Sequence, residues 1–354
     1  MRILVEALSA EFGGIRTYAD HLLEAWIEHR PEDKLKVVLP KGSDLPTHGH
    51  STEYLPVPRP DVLGRPWVQT TRTRQLARDF DADAILATHP ATSLVQNSKP
   101  TAVVLYDFRH EVRPDQFTRG RRVLRRVSYS RGYAIADGFI SISQRSLDDL
   151  HRLHPRSRRK PSTVAHLGAD HVLTWPKSTT SGPAVTFAHH TNKNSDLILS
   201  GWADALSRGL DVPDLLVLGT SGATRDRLSG MIDQLSLGSR VQLAPFLPET
   251  EFRQAMADAA MIVFPSDFEG FGLPVLEGMM LGTPVVIGPE PACLEVSGGH
   301  AFVLADWTPA ALADAVHAAS TADADALEAA RAHAAAFTWL RCVEQTRAFL
   351  QTLT

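Results

Sequence analysis

The sequence predicts an α/β protein made of two doubly wound, parallel-sheet domains. Three observations predict it: a length beyond one ordinary core, short apolar runs that alternate with longer amphipathic ones, and one Ser/Thr/Pro/Gly-rich interruption that splits the alternation in two. The 354 residues suit two domains of roughly 150 to 200 residues each. An apolar share of 44% and a charged share of 21% are those of a globular chain, not of a disordered one.

In the first half the apolar runs fall at residues 3–7, 35–39, 84–87, 102–105, 138–141 and 163–166. They are rich in β-branched residues and lack strict alternation, as strands buried on both faces do. Amphipathic stretches at 18–28, 67–79, 119–134 and 145–153 lie between them and read as helices. Strand–helix alternation gives a parallel sheet with helices on both faces. The second series places strands at 185–188, 215–218, 241–243, 261–264, 284–287 and 302–304, with helices in the gaps. Between the series, residues 169–183 hold Pro176, Lys177, Ser178, Thr179, Thr180, Ser181, Gly182 and Pro183, the best linker in the chain. The expected division is 1–170, 171–338, and a last segment 339–354.

Charge divides the same way. Residues 1–170 carry 26 Lys and Arg against 20 Asp and Glu, whereas residues 171–354 carry 10 against 20. The positive half is too mildly charged for a nucleic-acid protein and has no recognition motif. The first residues read as a strand and its loop, not as a signal peptide, and no apolar run approaches the roughly 20 residues that span a bilayer. Cys293 and Cys342 lack metal-ligand spacing and read as buried thiols in a reducing cytoplasm. Asp81 and Asp83, like Asp323 and Asp325, read as caps or solvated ends, so no metal is expected.

The chemistry concentrates in EGFGLPVLE, residues 269–277. A buried strand leads out of the sheet, and Gly270 and Gly272 let the backbone turn sharply and approach a ligand. Pro274 suits the first turn of a helix that runs to about Leu281, with Gly282 as its cap. The amides of Phe271, Gly272 and Leu273 then stand at a helix amino terminus, where a phosphate binds. Glu269 and Glu277 flank that point, and an ionised carboxylate accepts hydrogen bonds from the vicinal hydroxyls of a sugar. Taken singly, Glu277 could complement the helix dipole and Glu269 could be solvated.

The segment FPSDFEGFGLPVLEGMMLGTPVV closely resembles the signature of glycosyltransferase family 4, whose hallmark is two glutamates separated by seven residues. The resemblance implies the GT-B fold, two Rossmann-like domains facing across a cleft. It implies a retaining, metal-independent hexosyltransferase with a nucleotide-diphosphate sugar as donor and no further cofactor. UDP is favoured over GDP on family frequency. Glu269 would contact the donor sugar, Glu277 the ribose, and Gly270, Phe271, Gly272 and Leu273 the diphosphate.

The likeness extends further. GGIRTYADHLLEAW is similar to the family's glycine loop, so the amides of Gly13 and Gly14 would reach the donor phosphates, with Arg16 as an extra cation. Alone, the Gly-Gly pair is equally an ordinary tight turn. TFAHHTNKNSDLIL resembles the loop whose Lys, here Lys193, neutralises the diphosphate. The family's Arg just before it is absent, and His189 or His190 is the candidate replacement. In VVLYDFRHEVRP, Asp107 is retained and counts as catalytic, while the usual His is Tyr106, with His110 as a nearby substitute. Backbone near residues 243–246 would flank the nucleobase, and FTWLRCVEQTRAFL would return to the first domain.

The acceptor is a hydroxyl of a glycan, a lipid-linked molecule or a small molecule. The stretch 41–66, which would help to choose it, resembles no motif. Residues 119–131, with six arginines and a narrow stripe of Val123, Leu124 and Val127, read as a basic amphipathic helix. It is either a solvated face or a peripheral contact at the inner surface of the membrane of a cytoplasmic enzyme. Two alternatives stand beside the transferase: a GT-B nucleotide-sugar epimerase, and a degenerate nucleotide-sugar-binding regulatory protein.

Overall fold

A computed structural model describes residues 1–59, 61–178 and 181–354. Thr179 and Thr180 of the expected linker and Pro60 of the 41–66 stretch lie outside the described residues, as do the side chains of residues 61–63 and 121. The chain divides into two compact units, Met1–Gly168 with Thr338–Thr354, and Ala169–Phe337.

The first unit contains β1 (Arg2–Glu6), α1 (Gly13–His29), β2 (Lys34–Pro40), β3 (Ser51–Leu55), α2 (Asp61–Asp79), β4 (Ala84–Ala87), β5 (Thr101–Leu105), α3 (Arg109–Val112), α4 (Arg119–Ile135), β6 (Gly138–Ser141), α5 (Gln144–Leu153) and β7 (Ser162–Val164). Its strands form one parallel sheet in the order β3-β2-β1-β4-β5-β6-β7. Ile3 pairs with Leu35 on one side and with Ala84 on the other. Leu4, Val38, Val68, Leu76 and Ile85 build one core cluster; Val103, Phe108, Tyr133, Phe139 and Leu150 build another. Burial of both sheet faces explains why the strand sequences are apolar throughout.

The second unit opens with a 3-10 turn at Asp170–Thr174. It continues with β8 (Ala184–Phe187), α6 (Ser195–Ser207), β9 (Leu215–Leu218), α7 (Gly222–Gln234), β10 (Val241–Leu243), α8 (Glu249–Asp258), β11 (Ile262–Phe264), α9 (Leu273–Leu281), β12 (Val285–Ile287), α10 (Pro291–Ser297), β13 (Phe302–Val303), α11 (Pro309–Ser320) and α12 (Ala324–Ala334). The sheet is again parallel, in the order β10-β9-β8-β11-β12-β13. Leu199, Trp202, Leu215, Val263, Val286 and Leu312 form its core. The chain then returns to the first unit in α13 (Trp339–Leu353), where Arg347 makes a two-pronged pair with Asp33.

Three local expectations change. The helix expected from residue 18 begins at Gly13, because Gly13 takes φ +58°, a turn that opens α1 without a side-chain cap. The expected linker is partly structured: its first residues coil into the 3-10 turn, and the Ala169 amide donates to Phe337 O at 2.9 Å. The 41–66 stretch contains β3, an edge strand of which only Leu55 is buried and which therefore leaves no apolar run in the sequence.

Asp323 caps α12 by accepting from the Ala326 amide, and Asp83 accepts from the Arg2 amide. Cys293 and Cys342 are buried. On α4, Val123 and Val127 are each 64% exposed and are flanked by exposed Arg119, Arg122 and Arg126. Among the described residues no helix is long and apolar enough to cross a membrane.

Candidate functional site

In an open α/β sheet, ligands bind outside the carboxyl ends of the strands where the strand order reverses. In the second unit that point lies between β8 and β11. The loop after β8 carries Lys193, and the loop after β11 carries Glu269. Lys193 Nζ donates to Glu269 Oε1 at 2.6 Å, and Asn192 Nδ2 donates to the same oxygen at 3.1 Å. Nζ also stands 4.0 Å from the centre of the Phe264 ring.

The two loops are stitched together by their own polar groups. Asn192 donates to Phe268 O and accepts from the Asp267 amide through its carbonyl. Asn194 takes the left-handed conformation, φ 52°, that Asn tolerates better than most residues, and its side chain donates to Pro265 O at 2.9 Å. The Lys-Asn pair therefore has a structural logic: the asparagine fixes the turn that presents the lysine.

Gly272 stands at the amino-terminal cap of α9 with φ +101°, where a side chain would be strained, and a Cβ would approach Cys293 Sγ at 3.3 Å. The helix starts at Leu273, one residue before the expected proline. Glu277 lies in its second turn and accepts from His171 Nε2 at 3.1 Å. The His171 and Glu277 side chains are 7% and 8% exposed. Beside α9, Glu290 caps α10 through the amides of Ala292 and Cys293. Burial, reinforced by Glu290 and Glu269, raises the Cys293 thiol well above its ordinary range and keeps it neutral.

His190 precedes the Lys193 turn, its ring 4.8 Å from that of His189, and His189 lies 5.8 Å from the Phe246 ring. Phe246 is exposed. A cavity of about 570 Å³, lined by Pro183, Pro213, Asp214, Gly238 and Arg240 among others, lies at the amino-terminal ends of β8 to β10, the edge opposite these groups.

The remaining candidates belong to the first unit. Its strand order reverses between β1 and β4, and Gly13 and Gly14 open the helix that follows β1. Arg16 is paired with Asp44, Nη1 to Oδ1 at 2.6 Å. Asp107 Oδ1 accepts from the Arg109 amide at 2.8 Å. Tyr106 packs edge-on to Tyr18, 5.8 Å between ring centres, and its hydroxyl is buried without a hydrogen-bond partner among the described residues. His110 is buried against Tyr129, 4.7 Å between centres, so it does not offer an open ring in place of the histidine that the resemblance implies.

The structure thus joins Lys193 and Glu269 directly, adds Asn192 to them, and pairs Glu277 with His171. Sequence reasoning missed Asn192 and His171. Asn192 precedes a recognisable pair; a single histidine in a loop carries no such signal.

Residues 187–335 match the family model described as glycosyl transferases group 1. D-inositol 3-phosphate glycosyltransferase 1 of Catenulispora acidiphila is 29% identical over 237 residues, 60% of this chain and 56% of that protein. O-antigen chain mannosyltransferase B of Escherichia coli is 31% identical over 136 residues, 37% of this chain and 35% of that one. The chain therefore matches from about a third to just over half of the length of these relatives. Among solved structures, Anabaena HepE in complex with UDP and glucose superposes with a TM-score of 0.77 at 19% identity, over 100% of both chains. Sucrose-phosphate synthase from Thermosynechococcus elongatus gives 0.72 at 17% identity, over 100% of this chain and 99% of that one. At such identities the likeness establishes the fold, two parallel-sheet Rossmann-like domains of the GT-B type.

Proposed function

We propose that this chain, whose residues 187–335 form a glycosyltransferase group 1 domain within a GT-B fold, is a retaining hexosyltransferase of family 4 that uses a nucleotide-diphosphate sugar. The observation that carries the proposal is the meeting of Lys193 and Glu269 at the β8/β11 reversal, with Glu277 on the helix that leaves the same loop.

Each group then has a task. The amides from Gly270 to Leu273 and the Lys193 ammonium receive the diphosphate and hold the charge that grows as the nucleotide departs. They supply the positive charge without a metal ion. Glu269, whose Oε1 is fixed by Lys193 and Asn192, accepts from hydroxyls of the sugar. Glu277 accepts from the ribose, and the base lies near Phe246 and His189 or His190. HepE was crystallised with UDP, which supports UDP over GDP here. The first unit takes the acceptor, offering the Asp107 carboxylate to a hydroxyl and the amides of Gly13 and Gly14 to a phosphate. The exposed Val123 and Val127 among arginines support peripheral docking of α4 on an anionic bilayer.

In the transfer, the bond from the anomeric carbon to the phosphate oxygen breaks while the acceptor oxygen bonds on the same face. The acceptor proton passes to the departing phosphate, so no protein nucleophile is required. Glu277→Ala is expected to raise the dissociation constant of UDP about tenfold or more, the value of a hydrogen bond to a charged group. Calorimetry that finds unchanged binding refutes the ribose contact.

A further inference from the structure

The pairing of Glu277 with His171 goes beyond the assignment of donor contacts. The two residues are 106 positions apart in sequence, and both side chains are nearly sealed from solvent. An ionised carboxylate only accepts hydrogen bonds, so His171 Nε2 carries the proton in this 3.1 Å contact. The contact occupies Oε1. Among the described residues Oε2 has no protein partner.

The histidine is itself held in place. Asp170–Thr174 forms the 3-10 turn that carries it, and Thr174 Oγ1 donates to the His171 carbonyl at 2.8 Å. Its ring meets Trp175 edge-on at 5.6 Å, and Trp175 meets Phe252 in the same manner at 5.9 Å. The donor nitrogen is therefore fixed by packing before any ligand arrives. A glutamate has three rotatable bonds, and fixing one oxygen removes the freedom to turn the other away.

We infer that His171 is a positioning residue: it pins Oε1 of Glu277 so that Oε2 meets the ribose 2′-hydroxyl, and so makes the site selective for ribonucleotides over 2′-deoxyribonucleotides. The inference rests on the proposed ribose contact of Glu277. It assigns the selectivity to a residue that acts through the Glu277 carboxylate.

The test compares binding of UDP, GDP and their 2′-deoxy forms by calorimetry. The unsubstituted chain is expected to prefer the ribo form by about tenfold or more. His171→Phe keeps a ring against Trp175 and removes the donor; His171→Asn stops one carbon short of Glu277. In both, the preference is expected to fall to about twofold, because an unpinned carboxylate serves either sugar equally poorly. His171→Gln, whose amide reaches as far as Nε2, is expected to restore most of it. A loss of packing alone would weaken both nucleotides together and leave their ratio unchanged. A ratio like that of the unsubstituted chain in the folded Phe and Asn variants overturns the positioning role and leaves the ribose contact standing. An unsubstituted chain without preference removes the 2′-hydroxyl contact, and the role of His171 with it.

Discussion

The Lys193 amino group sits where water does little for it. Its side chain is 8% exposed, and its ammonium is offset by the Glu269 carboxylate and the face of Phe264. Such a cation is most useful when negative charge grows nearby, because a site with little water screens it weakly and its position is already fixed. Lys193→Gln is therefore expected to lower kcat of sugar transfer about 100- to 1,000-fold, with a much smaller change in KM. Steady-state kinetics with a nucleotide sugar check this; a change confined to KM would make Lys193 a ground-state contact only. At this scale the sequence was legible where spacing carried information. Two glutamates around a Gly-rich helix start, and a Lys-Asn pair after a strand, are patterns that backbone geometry demands. That Lys193 and Glu269 touch was not legible, because the spacing within each motif says nothing about which loops the strand order brings together. His171 was invisible for the same reason: its partner comes from a packing contact between a 3-10 turn and α9.

Helices and strands were legible to the extent that they are buried. β1, β4, β5 and β6 are nearly closed to solvent and appear in the sequence as apolar runs, whereas β3 is an exposed edge and left none. α1 starts five residues ahead of its amphipathic pattern, because Gly13 and Gly14 look like turn residues even when they begin a helix. α4 is the element with a face still to be explained. Tyr129 and Tyr133 bury its carboxyl-terminal half, while Arg119, Arg122, Val123, Arg126 and Val127 share an exposed face at helical spacing. Two valines alone would bind a bilayer feebly, but arginines beside them add roughly 1 kcal/mol each at an anionic surface. The chain is expected to sediment with phosphatidylglycerol-containing vesicles and not with pure phosphatidylcholine vesicles. Arg122→Glu with Arg126→Glu should abolish the sedimentation and leave UDP binding unchanged. Equal binding to both vesicle types, or none, rejects the docking of α4.

For the molecule as a whole, acid sensitivity should be lodged in the first unit. Burial, with the charges of Arg125 and Arg65, pushes His89 down from 6.5 to about 3. Its Nδ1 accepts from the Ala91 amide, so Nε2 carries the proton and donates to Tyr129 Oη at 3.0 Å. Burial also lowers His50 and His110. A histidine lowered in the fold binds fewer protons there than in the unfolded chain, so stability falls as pH drops from 6.5 toward 3. Asp33 adds to this from a lower starting point. Burial opposes its charge, yet Arg347 and Trp26 hold it below the usual carboxylate range, and that contribution is lost as pH falls below 3.8. Glu6 has the opposite sign. Burial outweighs its bonds from Gln69 and the Leu8 amide and raises it, so its cost appears as pH rises above 4.5. These groups all lie in Met1–Gly168, with Arg347 on the returning helix of the same unit. Hydrogen exchange is therefore expected to accelerate in α1 and α13 as pH is lowered from 6.5 to 4, after correction for the intrinsic pH dependence of exchange, while α6 and α11 keep their protection. His89→Asn supplies the same acceptor to Ala91 without a titrating ring and should reduce the acid-induced loss in α1. Equal loss of protection in α6 would place the sensitivity outside the first unit. An unchanged response in His89→Asn would shift it to the other groups named here.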